Sequence, residues 1–253
     1  MKIIGVIPSR YSSTRLPGKP LKDICGKSMV HRVYESAKQS KLLNEVIVAT
    51  DDERIVEEVH RFGGKAIMTS VNHPNGTSRI TEVIKELDVD LVINIQGDEP
   101  FIRFEMIDEL VEVLIKDKDK VMATLCYKLN DKNKYQDENV VKVVCDIYGN
   151  ALYFSRSLIP YPRKRINFKV CEHIGIYGYR KSFLQEFVKL KDTPLSIIES
   201  LEQLKVLEYG HKLFVLETKY NYNALSIDTQ EDLEEARKII ENEREIERRD
   251  LME

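Results

Sequence analysis

Short apolar runs alternate with longer amphipathic segments along the first hundred residues of this 253-residue chain. The apolar runs predict strands, and they lie at residues 2–7, 45–50, 65–69 and 90–95. Between them, apolar residues recur at every third or fourth position, which predicts helices at 29–40, 53–62 and 77–87. Strands that alternate with helices in this way are typical of βαβ units on a parallel sheet.

The pattern changes after Leu114, where strand-like pieces follow one another without long helices between them. These pieces lie at 121–127, 140–145, 151–155 and 173–179, and helices at 196–208 and 229–247 flank a last strand at 212–217. Consecutive strands indicate mixed strand directions and a small extra layer. We therefore expect one α/β domain with a mixed, mostly parallel sheet flanked by helices and a small inserted β-rich subdomain.

Composition and charge restrict the class of protein. The 39 Lys and Arg against 42 Asp and Glu give a net charge of −3, so no global positive field attracts nucleic acid. The four cysteines form no CxxC pair, which favours a reducing cytoplasm over a disulfide framework or a zinc site. No apolar run approaches the ~20 residues of a membrane span, and no signal-peptide core is present. We expect a soluble cytoplasmic protein that does not bind membranes.

The loop at residues 8–20 concentrates three cations, Arg10, Arg15 and Lys19, directly after the first strand. This is the edge at which a doubly wound sheet opens its ligand crevice. Guanidinium and ammonium groups neutralise a polyphosphate, and Gly18 allows close approach of the backbone. A solvated basic loop is the alternative, but the position and two prolines favour phosphate binding. The loop matches neither GxGxxG nor GxxxxGK[ST], which disfavours a dinucleotide fingerprint and a Walker loop.

Two carboxylates are candidate magnesium ligands. Asp98 lies in IQGDEP at 95–100, where a strand ends, and Mg²⁺ in proteins binds one or two carboxylates while keeping water. An acidic turn that caps the helix beginning near Glu105 is an equal alternative for this hexapeptide alone. Asp228, with Thr229, reads by itself as the N-cap of the last helix. Asp228 becomes a candidate ligand because a metal ion that acts in phosphoryl transfer takes ligands from more than one segment of the chain.

Residues 75–79, NGTSR, begin a helix whose amino end suits an anion or a nucleobase edge. Capping alone would explain Asn75 and Thr77. Arg79 is either a ligand for phosphate or base, or a surface residue.

The five histidines form no HxxxH pair and none is next to a GxSxG motif. This excludes the usual metalloprotease and triad-hydrolase patterns. His173 by itself reads as a structural residue on one face of a strand.

Taken in order, eight segments resemble those of the 3-deoxy-manno-octulosonate cytidylyltransferases, the CMP-Kdo synthetases. They are PSRYSSTRLPGKPL, VATDD, MTSVNHPNGTSR, NIQGDEP, VKVVCDIYGNALYFSRSLIPY, HIGIYGYR, LEQLKVLEYG and IDTQEDL. The resemblance covers about residues 2–237, and the first and NIQGDEP segments carry most of it. It implies a Rossmann-like nucleotidyltransferase that transfers CMP from CTP to the anomeric hydroxyl of 3-deoxy-D-manno-octulosonate (Kdo) for lipopolysaccharide or capsule biosynthesis. It also implies pyrophosphate release, a Mg²⁺ requirement and a homodimer.

The resemblance implies roles for individual residues. Nucleotide binding falls to Arg10, Arg15, Lys19, Asn75, Arg79 and Gln96. The catalytic residues are Lys19, Asp98 and Asp228, of which Asp98 and Asp228 ligate magnesium. The sugar acid is bound by Arg156, His173, Tyr177, Glu202 and Gln203. Within a single domain, 1–253, nucleotide binding is expected in about 1–126 and 191–253, and acceptor binding and dimerisation in about 127–190.

Two departures from the family pattern leave the acceptor open. The family has SGT, an acidic residue and Arg where this chain has Asn75, Gly, Thr, Ser78 and Arg, and Gly-Val where it has Ser226 and Ile227. The alternatives are the same chemistry on 8-amino-Kdo or a nonulosonate, and a non-catalytic nucleotide-binding regulator. Retention of both carboxylates and Lys19 disfavours the regulator.

Overall fold

The computed structural model describes residues 1–164, 168–222 and 225–250. Its strands are β1 (Ile3–Ser9), β2 (Asp23–Ile24), β3 (Lys27–Ser28), β4 (Glu45–Thr50), β5 (Ala66–Met68), β6 (Leu91–Asn94), β7 (Met122–Lys128), β8 (Lys142–Cys145), β9 (Ala151–Ser155), β10 (Cys171–Arg180) and β11 (Phe214–Glu217). Its α-helices are α1 (Met29–Lys38), α2 (Glu53–Arg61), α3 (Gly76–Ile84), α4 (Phe104–Lys116), α5 (Lys181–Phe187), α6 (Pro194–Glu199), α7 (Leu204–Glu208) and α8 (Gln230–Asp250). Short 3₁₀ turns lie at Lys19–Leu21 and Lys132–Gln136.

The chain divides into two compact units. Unit 1 comprises Met1–Ile3, Asp88–Ile93 and Glu105–Asn221, and unit 2 comprises Ile4–Leu87, Asn94–Phe104 and Tyr222–Glu253. The expected single domain, 1–253, also includes residues 165–167, 223–224 and 251–253, which lie outside the described residues. Within the described ranges, every helix is too short or too polar to span a bilayer.

Unit 2 contains the predicted βαβ pattern. β1 pairs with β4, and β4 with β5, all in parallel, and α1, α2 and α3 each follow a strand along the chain. Polar side chains cap the amino ends of these three helices. Ser28, Asp52 and Asn75 each accept a hydrogen bond from a backbone N–H of the first turn. These local signals explain why most predicted boundaries are close, although α3 ends at Ile84 rather than at residue 87.

An apolar cluster in unit 2 holds the loop after β1 against the last helix. Leu16 packs in one buried cluster with Ile24, Ile227 and, from α8, Leu233 and Ala236. Burial of these side chains stabilises the cluster by the hydrophobic effect. The cluster therefore fixes the two segments that carry Lys19, three residues after Leu16, and Asp228, directly after Ile227.

Unit 1 has the mixed strand directions that the sequence predicts. β10 pairs antiparallel with both β7 and β8, β8 pairs antiparallel with β9, and β11 pairs in parallel with β7. The register of β10 against β7 shifts between Ile174 and Tyr177. The α/β class is thus confirmed, with an all-parallel βαβ run in unit 2 and a β-rich part in unit 1.

The prediction of one helix over 196–208 is wrong. Two short helices, α6 and α7, occupy this region because Ser200 adopts a left-handed conformation with φ 52°. The Leu201 N–H donates to the Ser196 carbonyl across this turn at 3.0 Å. Non-glycine residues rarely adopt this conformation. Because the residue at the break is a serine, no Gly or Pro indicates the break in the sequence. The β2–β3 hairpin and α5 were not predicted either, because both are very short.

A buried lysine binds three backbone carbonyls of unit 1. Lys142 is fully buried, and its Nζ donates to the carbonyls of Asp137 at 2.8 Å, Val140 at 2.5 Å and Arg156. Three acceptors satisfy all three N–H donors of an ammonium. Burial lowers the pKa of Lys142, against the attraction of nearby carboxylates. The ammonium thus replaces water for three carbonyls inside the unit.

We predict that Lys142→Met lowers the free energy of unfolding by about 3 kcal/mol, because three enclosed carbonyls lose their donor. Urea denaturation measures the change. Lys132→Met removes an exposed lysine from the same unit and serves as the control, with an expected change within about 0.5 kcal/mol. Equal effects of the two substitutions would contradict the structural role of Lys142.

Candidate active site

A cleft of about 720 Å³ opens in unit 2. It lies where the chain leaves β1 and β6, at the carboxyl ends of these strands. Its walls are Pro8, Ser9, Arg10, Ser12, Ser13, Thr14, Arg15, Lys19, Pro20, His73, Pro74, Asn75, Gly76, Arg79, Gln96, Gly97, Asp98 and Asp228. Every residue predicted for nucleotide, metal or catalytic function lines this cleft, and all of them belong to unit 2.

The backbone of the cationic loop directs Lys19 into the cleft. Gly18 has φ 66°, which favours glycine, and its N–H donates to the Tyr11 carbonyl at 3.1 Å. A Cβ at this position would approach the Tyr11 ring to 3.1 Å. The 3₁₀ turn then begins at Lys19, whose side chain is only 16% exposed. A larger residue at position 18 would disturb both the turn and the direction of this side chain.

Lys19 joins two carboxylates that are far apart in sequence. Its Nζ lies 2.7 Å from Asp98 Oδ2 and 3.0 Å from Asp228 Oδ1. Arg15 Nη2 lies 2.8 Å from the other oxygen, Asp228 Oδ2. The backbone brings the acids together, since the Ile227 N–H donates to the Asp98 carbonyl at 3.0 Å. Burial disfavours the charged amine, but the attraction of Asp98 and Asp228 outweighs it and raises the pKa of Lys19.

The carboxylate of Asp228 does not cap α8. Asp232 Oδ2 accepts the backbone N–H groups of Asp228 at 2.9 Å and Thr229 at 2.8 Å, and the Asp232 N–H donates to Thr229 Oγ1 at 3.2 Å. Thr229 and Asp232 therefore satisfy the helix start reciprocally. Asp98 likewise faces Lys19, and α4 begins six residues later at Phe104. Both carboxylates are directed to the cleft, so the capping alternatives are not needed.

Arg79 is not the surface residue that the sequence left possible. It is 3% exposed, and its Nη2 donates to Asp51 Oδ2 at 2.6 Å while Nη1 donates to Thr69 Oγ1 at 2.5 Å. The guanidinium is thus held from behind by two side chains that sequence reasoning did not single out. Charge-assisted bonds of this kind fix both position and orientation.

Asn75 and Gln96 also have partners within the wall of the cleft. Asn75 Oδ1 accepts the Ser78 N–H at 2.9 Å, which is the capping contact expected from the sequence. Gln96 Nε2 lies 3.5 Å from Asn94 Oδ1, at the limit for a hydrogen bond. The departure at Ser78 is accommodated, since its hydroxyl donates to the Asn75 carbonyl at 2.9 Å.

Sequence reasoning missed Ser9 as a site residue. Ser9 is 3% exposed, lines the cleft, and its Oγ has no hydrogen-bond partner among the described residues. Gly97 makes room for it, because a Cβ there would lie 3.0 Å from both Ser9 Oγ and the Pro8 carbonyl oxygen. A buried polar group without a partner is costly, so it suits contact with a bound molecule. No local sequence signal distinguishes this hydroxyl from its neighbours.

The predicted acceptor residues lie in unit 1, and His173 and Tyr177 are in ring contact there. Their ring centroids are 5.4 Å apart, and His173 Nε2 lies 3.0 Å from Thr124 Oγ1. Burial lowers the pKa of His173 to about 3. Burial, followed by the charge of Glu202, raises the pKa of Tyr177 well above its ordinary range. At neutral pH both side chains are uncharged, so they offer hydrogen bonds without charge.

Arg156 and Gln203 offer donors of two kinds in the same unit. Arg156 Nε donates to the Glu199 carbonyl and Nη1 to the Glu138 carbonyl, both at 2.8 Å. The Nη2 donors take part in neither bond. Gln203 is 4% exposed, and its Nε2 has no hydrogen-bond partner among the described residues. Within the described part of the chain, the hydrogen bonds of Arg156 are made with Glu138, Lys142 and Glu199 rather than with the other four predicted acceptor residues.

Comparison with known proteins places the chain in a family. The cytidylyltransferase family model matches residues 4–213. A 3-deoxy-manno-octulosonate cytidylyltransferase of Fusobacterium nucleatum is 57% identical over 93% of this chain and 95% of its own length. A protein of that name from Geotalea uraniireducens is 46% identical over 92% of this chain and 97% of its own. The chain belongs to the 3-deoxy-manno-octulosonate cytidylyltransferase family.

The fold agrees with that of solved cytidylyltransferases. A solved CMP:2-keto-3-deoxy-manno-octonic acid synthetase in complex with CTP is 42% identical, with a TM-score of 0.92 over 96% of this chain and all of the other. A 4-diphosphocytidyl-2C-methyl-D-erythritol synthase from Anaerococcus prevotii is 17% identical with a TM-score of 0.63, which shows likeness of fold alone. The predicted Rossmann-like nucleotidyltransferase fold is therefore confirmed for this cytidylyltransferase.

The neutral state of His173 predicts a pH effect on stability. Histidine in the unfolded chain gains a proton below pH 6.5, whereas folded His173 gains one only near pH 3. Stability is therefore lost as the pH falls from 6.5 towards 3, because the unfolded state binds more protons. From pH 7 to pH 5, we expect wild type to lose about 2 kcal/mol more than His173→Gln.

Urea denaturation at the two pH values measures this difference. His60→Gln, which replaces an exposed histidine of α2, is the control and should behave as wild type. A loss of stability in His173→Gln equal to that of wild type would contradict the burial of a neutral imidazole.

Proposed function

We propose that this chain transfers CMP from CTP to the anomeric hydroxyl of Kdo, giving CMP-Kdo and pyrophosphate. The observation that carries the proposal is the convergence of Asp98 and Asp228 on Lys19, with Arg15 beside them, in one cleft. Family membership supports it, because the relatives carry the name of this activity and the solved synthetase is in complex with CTP. A cytoplasmic location fits a reaction that consumes CTP.

Asp98 and Asp228 fit a magnesium ion. One oxygen of each lies within 3.0 Å of the same ammonium nitrogen, so both carboxylates already converge on a single cation. Among the described residues, no cluster of three or more Asp, Glu, His or Cys side chains could hold a metal. Two protein carboxylates completed by substrate phosphates and water are the usual arrangement for Mg²⁺. When bound, the ion would neutralise negative charge on the triphosphate.

The loop cations contribute charge and position. Lys19 forms ion pairs with both acids, and the same ammonium can contact the phosphates when CTP is bound. Arg10 is exposed in the wall of the cleft, and Arg15 is 63% exposed along its side chain, so both can reach a triphosphate. Preorganised cations stabilise the charge that develops on the leaving pyrophosphate. The acceptor hydroxyl attacks the α-phosphorus directly, and no enzyme nucleophile is required.

The remaining predicted residues bind the two substrates. We assign the nucleoside of CTP to Asn75, Arg79 and Gln96, and the Ser9 hydroxyl offers one further polar contact. A second set of residues binds the sugar acid. In this set, a guanidinium suits the carboxylate of the sugar acid, and uncharged donors suit the hydroxyls of the sugar acid. This set is Arg156, His173, Tyr177, Glu202 and Gln203.

Which parts of the chain bind the nucleotide and the acceptor stays a prediction. It assigns nucleotide binding to about 1–126 and 191–253, and acceptor binding with homodimer formation to about 127–190. Ser226 and Ile227 depart from the family pattern, but Ile227 is fully buried and its N–H donates to the Asp98 carbonyl. This contact supports retention of the cytidylyl transfer despite the departure. The choice among Kdo, 8-amino-Kdo and a nonulosonate then depends on the acceptor residues.

A pyrophosphate-release assay tests the reaction and its substrates. With Mg²⁺, we expect release with CTP and Kdo to exceed that with UTP or ATP, and that with other 2-keto sugar acids, by at least about tenfold. A faster rate with 8-amino-Kdo or a nonulosonate would assign the chemistry to that acceptor. CTP binding without release on any acceptor would favour a nucleotide-binding regulator and contradict the proposal.

Substitution of the charged cleft residues tests the catalytic roles. Asp98→Asn and Lys19→Ala should each lower kcat by about a hundredfold or more, because the first weakens a magnesium ligand and the second removes a cation that faces the reacting phosphates. Glu57→Gln and Lys38→Ala, at exposed positions on α2 and α1, are matched controls and should keep wild-type rates. Circular dichroism checks that all four variants fold. Near wild-type steady-state rates for Asp98→Asn would refute its role.

A further inference from the structure

Arg156 of unit 1 is held both by its backbone and by its side chain. Its N–H donates to Glu199 Oε2 at 2.9 Å, and its carbonyl accepts the Lys142 ammonium. In the side chain, Nε donates to the Glu199 carbonyl and Nη1 to the Glu138 carbonyl, both at 2.8 Å. Backbone carbonyls orient a guanidinium without forming an ion pair with it. Glu199 therefore binds Arg156 at two points, with its carboxylate on the backbone and its carbonyl on the guanidinium.

The Glu199 carboxylate also binds the strand that precedes Arg156. Its Oε1 accepts the hydroxyls of Ser155 at 2.7 Å and Tyr153 at 3.4 Å, both on β9. Burial opposes ionisation of Glu199, but hydrogen bonds from the Arg156 N–H, Ser155 and Tyr153 outweigh it and lower the pKa of this carboxyl. At neutral pH, Glu199 is thus an anion that is bound to the end of β9.

The helix break at Ser200 makes the Glu199 carbonyl available to Arg156. In a continuous helix over 196–208, the Gln203 N–H would donate to this carbonyl. Instead, α6 ends at Glu199, and the Arg156 Nε takes the carbonyl. Arginine side chains commonly bind the last carbonyls of a helix in this way. The break therefore provides the second point at which Glu199 holds Arg156.

Glu199 connects two segments that carry predicted acceptor residues. Arg156 directly follows β9, whereas Glu202 and Gln203 come three and four residues after Glu199. Gln203 is 4% exposed, and its Nε2 has no hydrogen-bond partner among the residues that the structure describes. The two hydrogen bonds of Glu199 to Arg156 span 43 residues of sequence. They fix the first segment to the start of the second.

We propose that Glu199 is a positioning residue for the acceptor, which holds the Arg156 guanidinium in the orientation that binds the carboxylate of the sugar acid. The inference rests on the proposed function, which assigns the sugar acid to Arg156. Glu199 acts through Arg156 and needs no contact with the sugar acid itself. A guanidinium held in advance loses less conformational freedom when it binds a carboxylate, so the acceptor is bound more tightly.

Steady-state kinetics of the full-length chain test the role of Glu199. Glu199→Ala removes both side-chain acceptors and should raise KM for Kdo at least about tenfold, with KM for CTP and kcat within about twofold of wild type, because only acceptor binding is weakened. In Glu199→Gln, the amide oxygen can accept the Arg156 N–H and the amide nitrogen can donate to Ser155 Oγ. This variant should keep KM for Kdo within about threefold of wild type.

Two results of these measurements would overturn the proposal. One is an unchanged KM for Kdo in Glu199→Ala. The other is an equal rise in KM for Kdo and for CTP, which would indicate a general structural defect rather than a loss of acceptor binding.

A double-mutant cycle tests whether Glu199 acts through Arg156. In the Arg156→Ala background, adding Glu199→Ala should lower kcat/KM for Kdo by less than about twofold, because the side chain that Glu199 positions is absent. A further tenfold loss in this background would show that Glu199 acts independently of Arg156, and it would refute the proposal.

Glu208→Ala is the matched control. The Glu208 carboxylate accepts the Thr193 hydroxyl and the Ser196 N–H, so it binds the beginning of α6 rather than Arg156. This variant should keep KM for Kdo within about twofold of wild type. A rise equal to that in Glu199→Ala would assign the effect to the stability of α6 and contradict positioning of Arg156.

Glu199→Asp keeps the test valid if Glu199→Ala fails to fold, which circular dichroism shows. Aspartate retains the charge but is shorter by one methylene, so its carboxylate cannot reach Ser155 and the Arg156 N–H together. KM for Kdo should then rise at least about threefold, with KM for CTP unchanged. Wild-type values for both substrates in this variant would contradict the proposal.

Calorimetry separates failure of this inference from failure of the proposed function. Titration of Kdo into the protein with CTP and EDTA measures acceptor affinity without turnover, and Glu199→Ala should raise Kd at least about tenfold. Wild type that binds Kdo but releases no pyrophosphate would refute the transferase, and the Kd comparison would still decide the role of Glu199. Active wild type with an unaltered Kd in Glu199→Ala would refute the role of Glu199 alone. Wild type that binds no sugar acid would overturn both.

Discussion

The ion pairs of Lys19 with Asp98 and Asp228 are the interaction on which the candidate site depends. Two carboxylates that share a site repel each other unless a cation lies between them. Lys19 supplies that cation, and Arg15 neutralises the second oxygen of Asp228. The same concentration of opposite charges suits a magnesium ion and a triphosphate. The ion pairs thus keep both carboxylates directed at the cleft.

Apolar packing and backbone hydrogen bonds place these charges. Leu16 and Ile227 lie in one buried cluster, so the chain segments that precede Lys19 and Asp228 are fixed by the same contacts. The Ile227 N–H to Asp98 carbonyl bond then sets the separation of the two acids. Charged side chains alone would not hold this geometry, because the cost of removing partly buried charges from water offsets much of their attraction. The site is therefore an electrostatic arrangement on a hydrophobic support.

In unit 1, burial decides the protonation of side chains that the sequence presents as ordinary. His173 is uncharged and Tyr177 keeps its proton at neutral pH. Both residues lie on β10. A low local dielectric disfavours charge unless a partner stabilises it. One strand therefore carries two uncharged hydrogen-bonding groups.

The sequence by itself determined the local elements and the chemistry of single motifs. Hydrophobic periodicity and helix caps identified the βαβ run of unit 2, and the ordered motifs identified Lys19, Asp98 and Asp228. Tertiary structure alone decided the break of the helix at Ser200, the Asp51 and Thr69 partners of Arg79, and the burial of a Ser9 hydroxyl that has no partner among the described residues. Periodicity and capping act within a few residues along the chain, so they can be read from it. Strand register, burial and the solvation of a polar atom depend on segments distant in sequence, and they exist only once those segments have packed.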